Sequence, residues 1–269
     1  MIKTITVSWF SAGVSSAVAT WLMHDKVDKI IYTHIDDQHP DTMRFVKDCE
    51  RWFRKPVEIL QSPYKNVDNA IRLGCGFINS PSGAICTRYL KRRVRREWEI
   101  QNEWFNTFRY VWGMDIDEIK PRPPRNQSRC DGLREAMPNQ EHIFPLVEHK
   151  ITKEEAHGIL RKAGIKRPAM YDLGYQNNNC IGCVKGGMGY WNKIRVDFPE
   201  VFKLRAATER IVGASCLKKK RARPDEPAGP DNNVKLYLDE LDPNAGRKEG
   251  PVVEECGAMC EIINEEQPH

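Results

Sequence analysis

Two stretches of this chain carry residue types that do chemistry. The first is Ser11-Ala12-Gly13-Val14-Ser15-Ser16. Small residues and hydroxyls lie between an apolar, β-branched run and a helix-forming run. Such a joint makes an anion cradle, because N–H groups at a helix start point outward and the helix dipole favours negative charge. The same residues also fit a tight strand-to-helix turn with a serine N-cap, and spacing alone leaves both readings open. The second stretch is Cys180-Ile181-Gly182-Cys183, followed by Cys216 and by Cys256 and Cys260. Two thiolates on a tight turn chelate a metal or an iron–sulfur cluster. The rival is a redox dithiol, in which one thiolate attacks and another resolves.

Arginine and lysine supply the remaining candidates. Arg88, Lys91, Arg92, Arg95 and Arg96 form a stripe on a basic helix opening at Cys86. The stripe either faces phosphates or pairs along the helix with Glu99 and Glu103; residues at the helix start lie nearer a ligand. Arg122, Arg125 and Arg129, in a polar proline-containing loop from Lys120 to Asp131, are placed to close over an anion. Lys218 to Arg223 is a dense basic run ahead of a Pro/Asp/Gly-rich linker. It reads as a solvated loop more readily than as a nucleic-acid patch, since no aromatic is interleaved.

The elements that must position these groups follow from periodicity. Thr4 to Phe10, Lys29 to His34, Val57 to Leu60, Phe108 to Trp112 and His142 to Val147 read as strands. Between them, Ser16 to Met23, Asp41 to Arg54 and Cys86 to about Glu103 carry helical spacing, and Cys49 falls on a core face. Thr152 to Glu155 is a capping box for a helix ending at Gly164, and Trp191 to Ile211 reads as a helix. Alternating strands and helices predict an α/β fold: a doubly wound, mostly parallel sheet with helices on both faces and a Cys-rich C-terminal region. Ligands of such sheets sit at the carboxyl ends of strands, which puts Ser11 to Ser16 and Asp36 to His39 on one rim. The expected division is a nucleotide-binding domain over 1–175 and a Cys-rich helical region over 176–269.

Bulk properties narrow the class. The 269 residues are 40% hydrophobic, enough for a sizeable core, and carry a net charge of +5 that suits an anionic substrate or nucleic acid. No apolar run approaches a membrane span and no signal-peptide pattern opens the chain, so a cytoplasmic protein is expected. Nine cysteines in that setting, five of them after Gln176, point to metal or thiol chemistry over a disulfide framework.

Taken in order, these motifs resemble the phosphoadenosine-phosphosulfate (PAPS) reductase family of the PP-loop, adenine-nucleotide α-hydrolase-like superfamily. Ser11 to Ser16 is similar to its modified PP-loop. Asp36 to Phe45 is similar to its acidic turn and following helix start, and Cys86 to Lys91 to its cysteine before a nucleotide-contacting helix. Gly113 to Glu118, Phe144-Pro145-Leu146 with Thr152-Lys153-Glu154, Tyr171 to Cys183 and Glu255-Cys256-Gly257 complete the series. Ser15 stands where ATP-cleaving members carry Asp, Asp115 where the family carries Arg, and Cys86 is followed by Thr87 instead of a second cysteine.

The resemblance implies an adenine nucleotide, either PAPS/APS or ATP, with its phosphates on Ser11, Ala12, Gly13, Val14, Ser15 and Ser16. It implies Asp36 or Asp37 on Mg²⁺ or a ribose hydroxyl, Arg88 and Lys91 balancing charge, and Gly113 in the nucleotide site. Cys86, Cys180 and Cys183 would hold an iron–sulfur cluster (4Fe-4S), with Cys216 or Cys260 as a further ligand. Cys256 would be the nucleophile of sulfonucleotide reduction, served by a thiol reductant. Basic groups from the main body must then dock against Glu254 and Glu255, which would otherwise raise the Cys256 thiol. The alternatives are an ATP-dependent sulfurtransferase acting on a nucleic acid, and a non-catalytic nucleotide-binding protein whose zinc is held by Cys180, Cys183, Cys256 and Cys260.

Overall fold

The computed structural model describes residues 3–74, 78–80, 83–102, 106–121, 126–220 and 233–255. Strand β1 (Lys3–Phe10) alternates poorly because both its faces are covered, and its inner half is buried. It turns at Ser11–Gly13 into α1 (Val14–Leu22). Then follow β2 (Lys29–His34), α2 (Asp41–Phe53), β3 (Val57–Gln61) and α3 (Val67–Leu73). A short hairpin, β4 (Asn79–Ser80) and β5 (Gly83–Ala84), leads into α4 (Ile85–Thr87), a π-helical turn over Arg88–Arg92, and α5 (Arg93–Asn102). Next come β6 (Asn106–Val111), a 3₁₀ turn (Ile116–Ile119), α6 (Arg129–Ala136), β7 (Glu141–Ile143) and α7 (Pro145–Glu148). The chain continues through α8 (Lys153–Lys162), α9 (Ala169–Asp172), α10 (Met188–Asp197) and α11 (Pro199–Val212). A ribbon of β8 (Leu217–Lys220) and β9 (Asn233–Leu236) follows.

The main sheet has the order β3-β2-β1-β6-β7, and every pairing in it is parallel. The chain winds outward from β1 to β3 and then returns to the other edge of β1 with β6. The order therefore reverses between β1 and β6. In doubly wound sheets the crevice beyond the carboxyl ends at such a reversal is where ligands bind. Here those ends deliver Ser11 from one strand and Trp112-Gly113 from the other.

Three apolar clusters hold this frame. One packs α1, α2 and α8 against Phe10, Tyr32 and Val111, and it contains the fully buried Cys49. On the other sheet face Trp98, Phe108, Tyr110 and Met137 form a smaller aromatic layer. The third joins Ile35, Val67, Ile71 and Leu90 to Trp191, Ile194, Phe202 and Leu238, so α10 and α11 share a core with the α3–α5 region. Burying each large side chain stabilises the fold by about 1.5–3 kcal/mol.

Several elements differ from the sequence reading, each for an identifiable reason. The expected strand His142 to Val147 stops at Ile143, because Pro145 opens a helix instead of supplying a ladder N–H. The expected helix Trp191 to Ile211 is two helices, broken at Phe198 where Pro199 starts α11. The basic helix after Cys86 is interrupted by the π-turn. The basic run at Lys218 enters a strand, which pairs antiparallel with β9. The expected serine N-cap of α1 is absent: Gly13 occupies that position, and the helix starts two residues early. The Thr152 capping box is present in full. No helix among the described residues is long and apolar enough to cross a membrane.

Candidate functional site

The Ser11–Ser16 loop is folded around one hydroxyl. Ser16 Oγ accepts from the Ser11 amide (3.2 Å), the Gly13 amide (3.3 Å) and the Ser11 hydroxyl (2.9 Å), and donates to the Gly13 carbonyl (2.9 Å). It thus takes donors of the kind an anion oxygen takes. The amides of Ser15 and Ser16 lie in the first helical turn, where no intrahelical carbonyl precedes them. Between the two serines of the turn, buried Ala12 is held at φ 57°. That left-handed conformation costs a non-glycine residue about 1 kcal/mol and persists only where the surroundings enforce it.

Three contacts enforce it. The buried Asn178 side chain donates to the Ala12 carbonyl at 2.7 Å. Tyr171 Oη accepts from the Val14 amide at 3.4 Å. Gly113, at the end of β6, lies directly against the first turn of α1: a Cβ there would stand 2.4 Å from Ser16 Cα. Glycine at 113 is therefore a packing requirement of the loop.

The acidic rim turn sits at the carboxyl end of β2. Asp36 is exposed and accepts from Gln61 Nε2 at 2.6 Å. Asp37 is already committed. One of its oxygens caps the amide of Val67 at 2.7 Å, and the other lies 3.5 Å from the buried Arg205 guanidinium. Desolvation pushes the Asp37 carboxyl above its ordinary value, against the Val67 and Arg205 contacts. Arg205 also donates to Asp68 at 2.8 Å, and Thr208 donates to the same Asp68 oxygen at 2.6 Å. This buried network was not visible in the sequence.

Beside the loop lies a cleft of about 640 Å³. Cys86, Cys180 and Cys183 all line it, so the structure brings together three of the six cysteines singled out above. Cys216 is buried and belongs to the same apolar cluster that Cys86 and Cys180 pack against. Burial pushes the Cys180 thiol up to about 12, and neighbouring Asp37, Cys183 and Cys86 add to the shift while Lys91 opposes it. Burial also raises Cys86 and Cys216. Among the described residues no group of three or more His, Cys, Asp or Glu is gathered tightly enough for a single metal ion. Cys256 and Cys260 lie outside the described residues.

The cations divide sharply. Lys91, turned by the π-helical segment, lines the cleft with Arg129 and Lys185. Arg88 does not; it is exposed, with its guanidinium 5.8 Å from the Tyr89 ring. Further along the helix, Arg93 pairs with Glu97, while Arg95 and Arg96 pair with Glu99. The pairing with Glu99 is as the sequence reading expects, but Glu99 is buried and Arg95 half-buried, so this face is not simply solvated. Glu103 lies outside the described residues. Arg122 and Arg125 lie outside the described residues, whereas Arg129 reaches the cleft and pairs with Glu118 at 2.6 Å. Lys185 was missed; its signal was its place two residues after the Cys180–Cys183 pair.

The wall between loop and cleft is the segment Gln176–Asn179. Gln176, Asn177 and Asn179 face the cleft, and Asn178 between them turns back to the Ala12 carbonyl. Lys153 braces the wall from α8, donating to the Gln176 carbonyl and to Asn177 Oδ1. Residues up to Glu255 cross the outer rim. Glu249 lines the cleft, Gln176 donates to the Gly250 carbonyl, and Arg167 donates to the Val252 carbonyl at 3.2 Å. Glu254 pairs with Arg161 and Arg167, and the Glu255 amide donates to the Glu154 carbonyl at 3.1 Å. The docking of basic groups against the acidic tail thus holds for Glu254.

The molecule is a doubly wound α/β protein with a strained, hydroxyl-rich loop at its switch point. No family model matches the chain, and no curated protein matches it. Among solved structures it is similar to a phosphoadenylyl-sulfate (PAPS) reductase from Candida auris determined as a phosphate complex. The identity is 13% and the TM-score 0.42, over 65% of this chain and 80% of that one.

Proposed function

We propose that this chain is an enzyme that binds an adenine nucleotide on the Ser11–Ser16 loop and carries out thiol-dependent sulfur chemistry at the adjoining cysteine cleft. The observation that carries this reading is the Asn178–Ala12 bond, which makes one wall serve both an anion-type loop and a three-thiol cleft. Ser11, Ser15 and Ser16 with the turn amides hold the phosphates, and Asp36, exposed on the rim, is the carboxylate for Mg²⁺ or a ribose hydroxyl, its Oδ1 shared with Gln61. Gly113 serves by packing, and Arg88 has no part in the cleft.

In the favoured form the nucleotide is PAPS or APS. The Cys256 thiolate attacks its sulfur, and the O–S bond to the nucleotide phosphate breaks. The products are the nucleotide phosphate and a cysteine S-sulfonate. A second thiol then attacks the Cys256 sulfur, releasing sulfite and leaving a disulfide that an external thiol reductant reopens. Arg161 and Arg167 neutralise Glu254 beside the nucleophile.

Cys86, Cys180 and Cys183 line one cleft, and among the described residues no group of three or more His, Cys, Asp or Glu is gathered for a single metal ion. Cys86, Cys180, Cys183 and Cys216 would hold a four-iron cluster, which would supply one-electron chemistry and a fixed charge beside the reacting sulfur. A second form, ATP-dependent sulfur transfer to a nucleic acid, is favoured by the β8–β9 ribbon. There Lys218 stands opposite Lys235 in register, both exposed, with Lys235 Nζ donating to the Gly213 carbonyl, and the ribbon offers a basic surface to a polyanion.

Metal analysis with an anaerobic absorption spectrum tests the reading. A band near 400 nm, in the usual range for such clusters, is expected; a colourless protein with one zinc would overturn it. Sulfite release from PAPS or APS that is lost in Cys256→Ser, with metal retained, supports reduction. Pyrophosphate release from ATP supports transfer.

A further inference from the structure

The cleft gathers three cations beside its thiols. Lys91, Arg129 and Lys185 come from three separate elements and line one space, against the single carboxylate of Glu249. Neither Lys91 nor Lys185 has a carboxylate partner among the described residues, and only Arg129 is paired, through one nitrogen, with Glu118. Cations brought together in a low-dielectric cleft repel one another and focus the field there. Such an arrangement is stable when an anion joins it. Hydrogen-bonding groups from Thr87, Asn177 and Asn179 share the same walls.

The Ser11–Ser16 loop contributes nothing to this lining. Its Ala12 carbonyl is closed off by Asn178, which belongs to the partition. The cleft is therefore lined by a different set of residues from the nucleotide loop. Cations converging from three directions match the spread oxygens of a tetrahedral group better than the planar pair of a carboxylate, which one arginine fork would satisfy. The volume is in the range of small-molecule sites, so the oxyanion group has room to carry a larger body.

We propose that the cysteine cleft is a second binding site, distinct from the nucleotide loop, for a tetrahedral oxyanion group of sulfur or phosphorus. Lys91, Lys185 and Arg129 hold it against Cys86, Cys180 and Cys183. The proposal deepens the functional reading, on which it rests for the role of the thiols, by giving the enzyme a second anionic substrate that binds together with the nucleotide.

The test is calorimetric titration of the full-length protein, as purified anaerobically, with inorganic thiosulfate, sulfate and phosphate, each with and without saturating ATP. One anion per chain is expected, bound in the presence of ATP and weakened by added sodium chloride. The Lys91→Met/Lys185→Met variant, checked for an unchanged melting temperature, should lose roughly tenfold or more in anion affinity. Ser16→Ala should weaken ATP and leave the anion in place. Preference for thiosulfate and sulfate identifies a sulfur oxyanion, and preference for phosphate identifies a phosphate ester; either supports the site. Displacement of the anion by ATP, indifference to the lysine variant, or no binding at millimolar anion overturns it. Anion binding with no binding of ATP, APS or PAPS would leave this site standing and remove the nucleotide reading.

Discussion

The side-chain amide of Asn178 donates to the carbonyl of Ala12 across 166 residues of sequence, at 2.7 Å. This bond holds the one left-handed alanine of the loop and at the same time fixes the wall of the cysteine cleft. Asn178→Ala leaves a buried carbonyl without its donor and is expected to cost about 1–3 kcal/mol of stability. It should also weaken nucleotide binding and alter the reactivity of Cys180 together. Denaturant unfolding, nucleotide titration and thiol-alkylation rates on the same variant check this. Loss of one function alone would show that the wall does not couple them.

Gly113→Ala tests the packing of β6 on the loop. The added Cβ would stand 2.4 Å from Ser16 Cα and 2.5 Å from its amide nitrogen, both backbone atoms that cannot swing aside. The first turn of α1 must move, and the Ser16 hydroxyl with it. Nucleotide affinity should fall at least tenfold, with a loss of stability of about 1–3 kcal/mol. Nucleotide titration and thermal unfolding read the two effects, and wild-type affinity in the variant would place the nucleotide elsewhere.

Arg205 is the buried cation that balances Asp37 and Asp68. Arg205→Met strands two carboxylates in a low-dielectric site, at a cost of about 3–5 kcal/mol near neutral pH. Asp37 is raised by desolvation even with Arg205 present, so it should rise further in the variant. A raised carboxyl binds its proton more tightly in the folded state than in the unfolded one. The deficit of the variant should therefore shrink as pH falls from 7 towards 4. Urea unfolding at several pH values measures it, and a constant deficit would assign the loss to packing alone.

The parts of the fold that were legible in the sequence are those set by apolar periodicity. While α8 follows from its Thr152 capping box, the five strands of the parallel sheet and the helices α1 and α2 follow from periodicity, and so does the rim shared by Ser11–Ser16 and Asp36–Asp37. The buried fate of Cys49 follows in the same way. What was not legible depends on partners far apart in the chain. Asp37 looks like a free rim carboxylate until Arg205, 168 residues later, is found against it. Arg88 and Lys91 look equivalent until the π-turn sends only Lys91 into the cleft. The broken helix at Pro199 and the shortened strand before Pro145 were readable from proline chemistry alone.

His157 predicts a specific acid sensitivity. It is buried in α8, edge-on to the Tyr171 ring at 4.5 Å, and neither ring nitrogen has a hydrogen-bond partner. Burial first, then Arg167 and Lys153, push its pKa down from 6.5 to about 3. The unfolded chain therefore binds a proton that the folded chain does not between those values. Stability contributed by neutral His157 is fully present above about 6.5 and is lost as pH falls towards 3, with a slope of up to about 1.4 kcal/mol per pH unit. His157→Phe keeps a ring of similar shape and removes this slope. Unfolding free energies of the two proteins from pH 7 to 4.5 should diverge, the wild type falling faster. Parallel curves would mean that His157 is protonated or exposed in the folded state.

The docked tail gives the last prediction. Glu254 is held between Arg161 and Arg167, and the amide of the next residue donates to the Glu154 carbonyl on α8, beside Lys153 and the cleft wall. Arg167 also donates to the Val252 carbonyl, and Val252 is buried in the main core. Arg167 is partly buried and also pairs with Asp172, so Arg167→Ala should cost about 1–3 kcal/mol of global stability. It should also loosen the strap locally, leaving the Arg161–Glu254 pair, the Gln176–Gly250 bond and the Glu255–Glu154 bond as its remaining polar anchors among the described residues. Hydrogen exchange at the Glu255 amide is expected to accelerate by tenfold or more in the variant. If Cys256, the very next residue, is the nucleophile as proposed, the step that depends on it should slow, because Glu254 is then neutralised by Arg161 alone. Nucleotide affinity should stay at the wild-type value, since Arg167 does not contact the Ser11–Ser16 loop. If exchange at Glu255 is unchanged while the Cys256-dependent rate falls, the role of Arg167 is electrostatic and the strap is held by Val252.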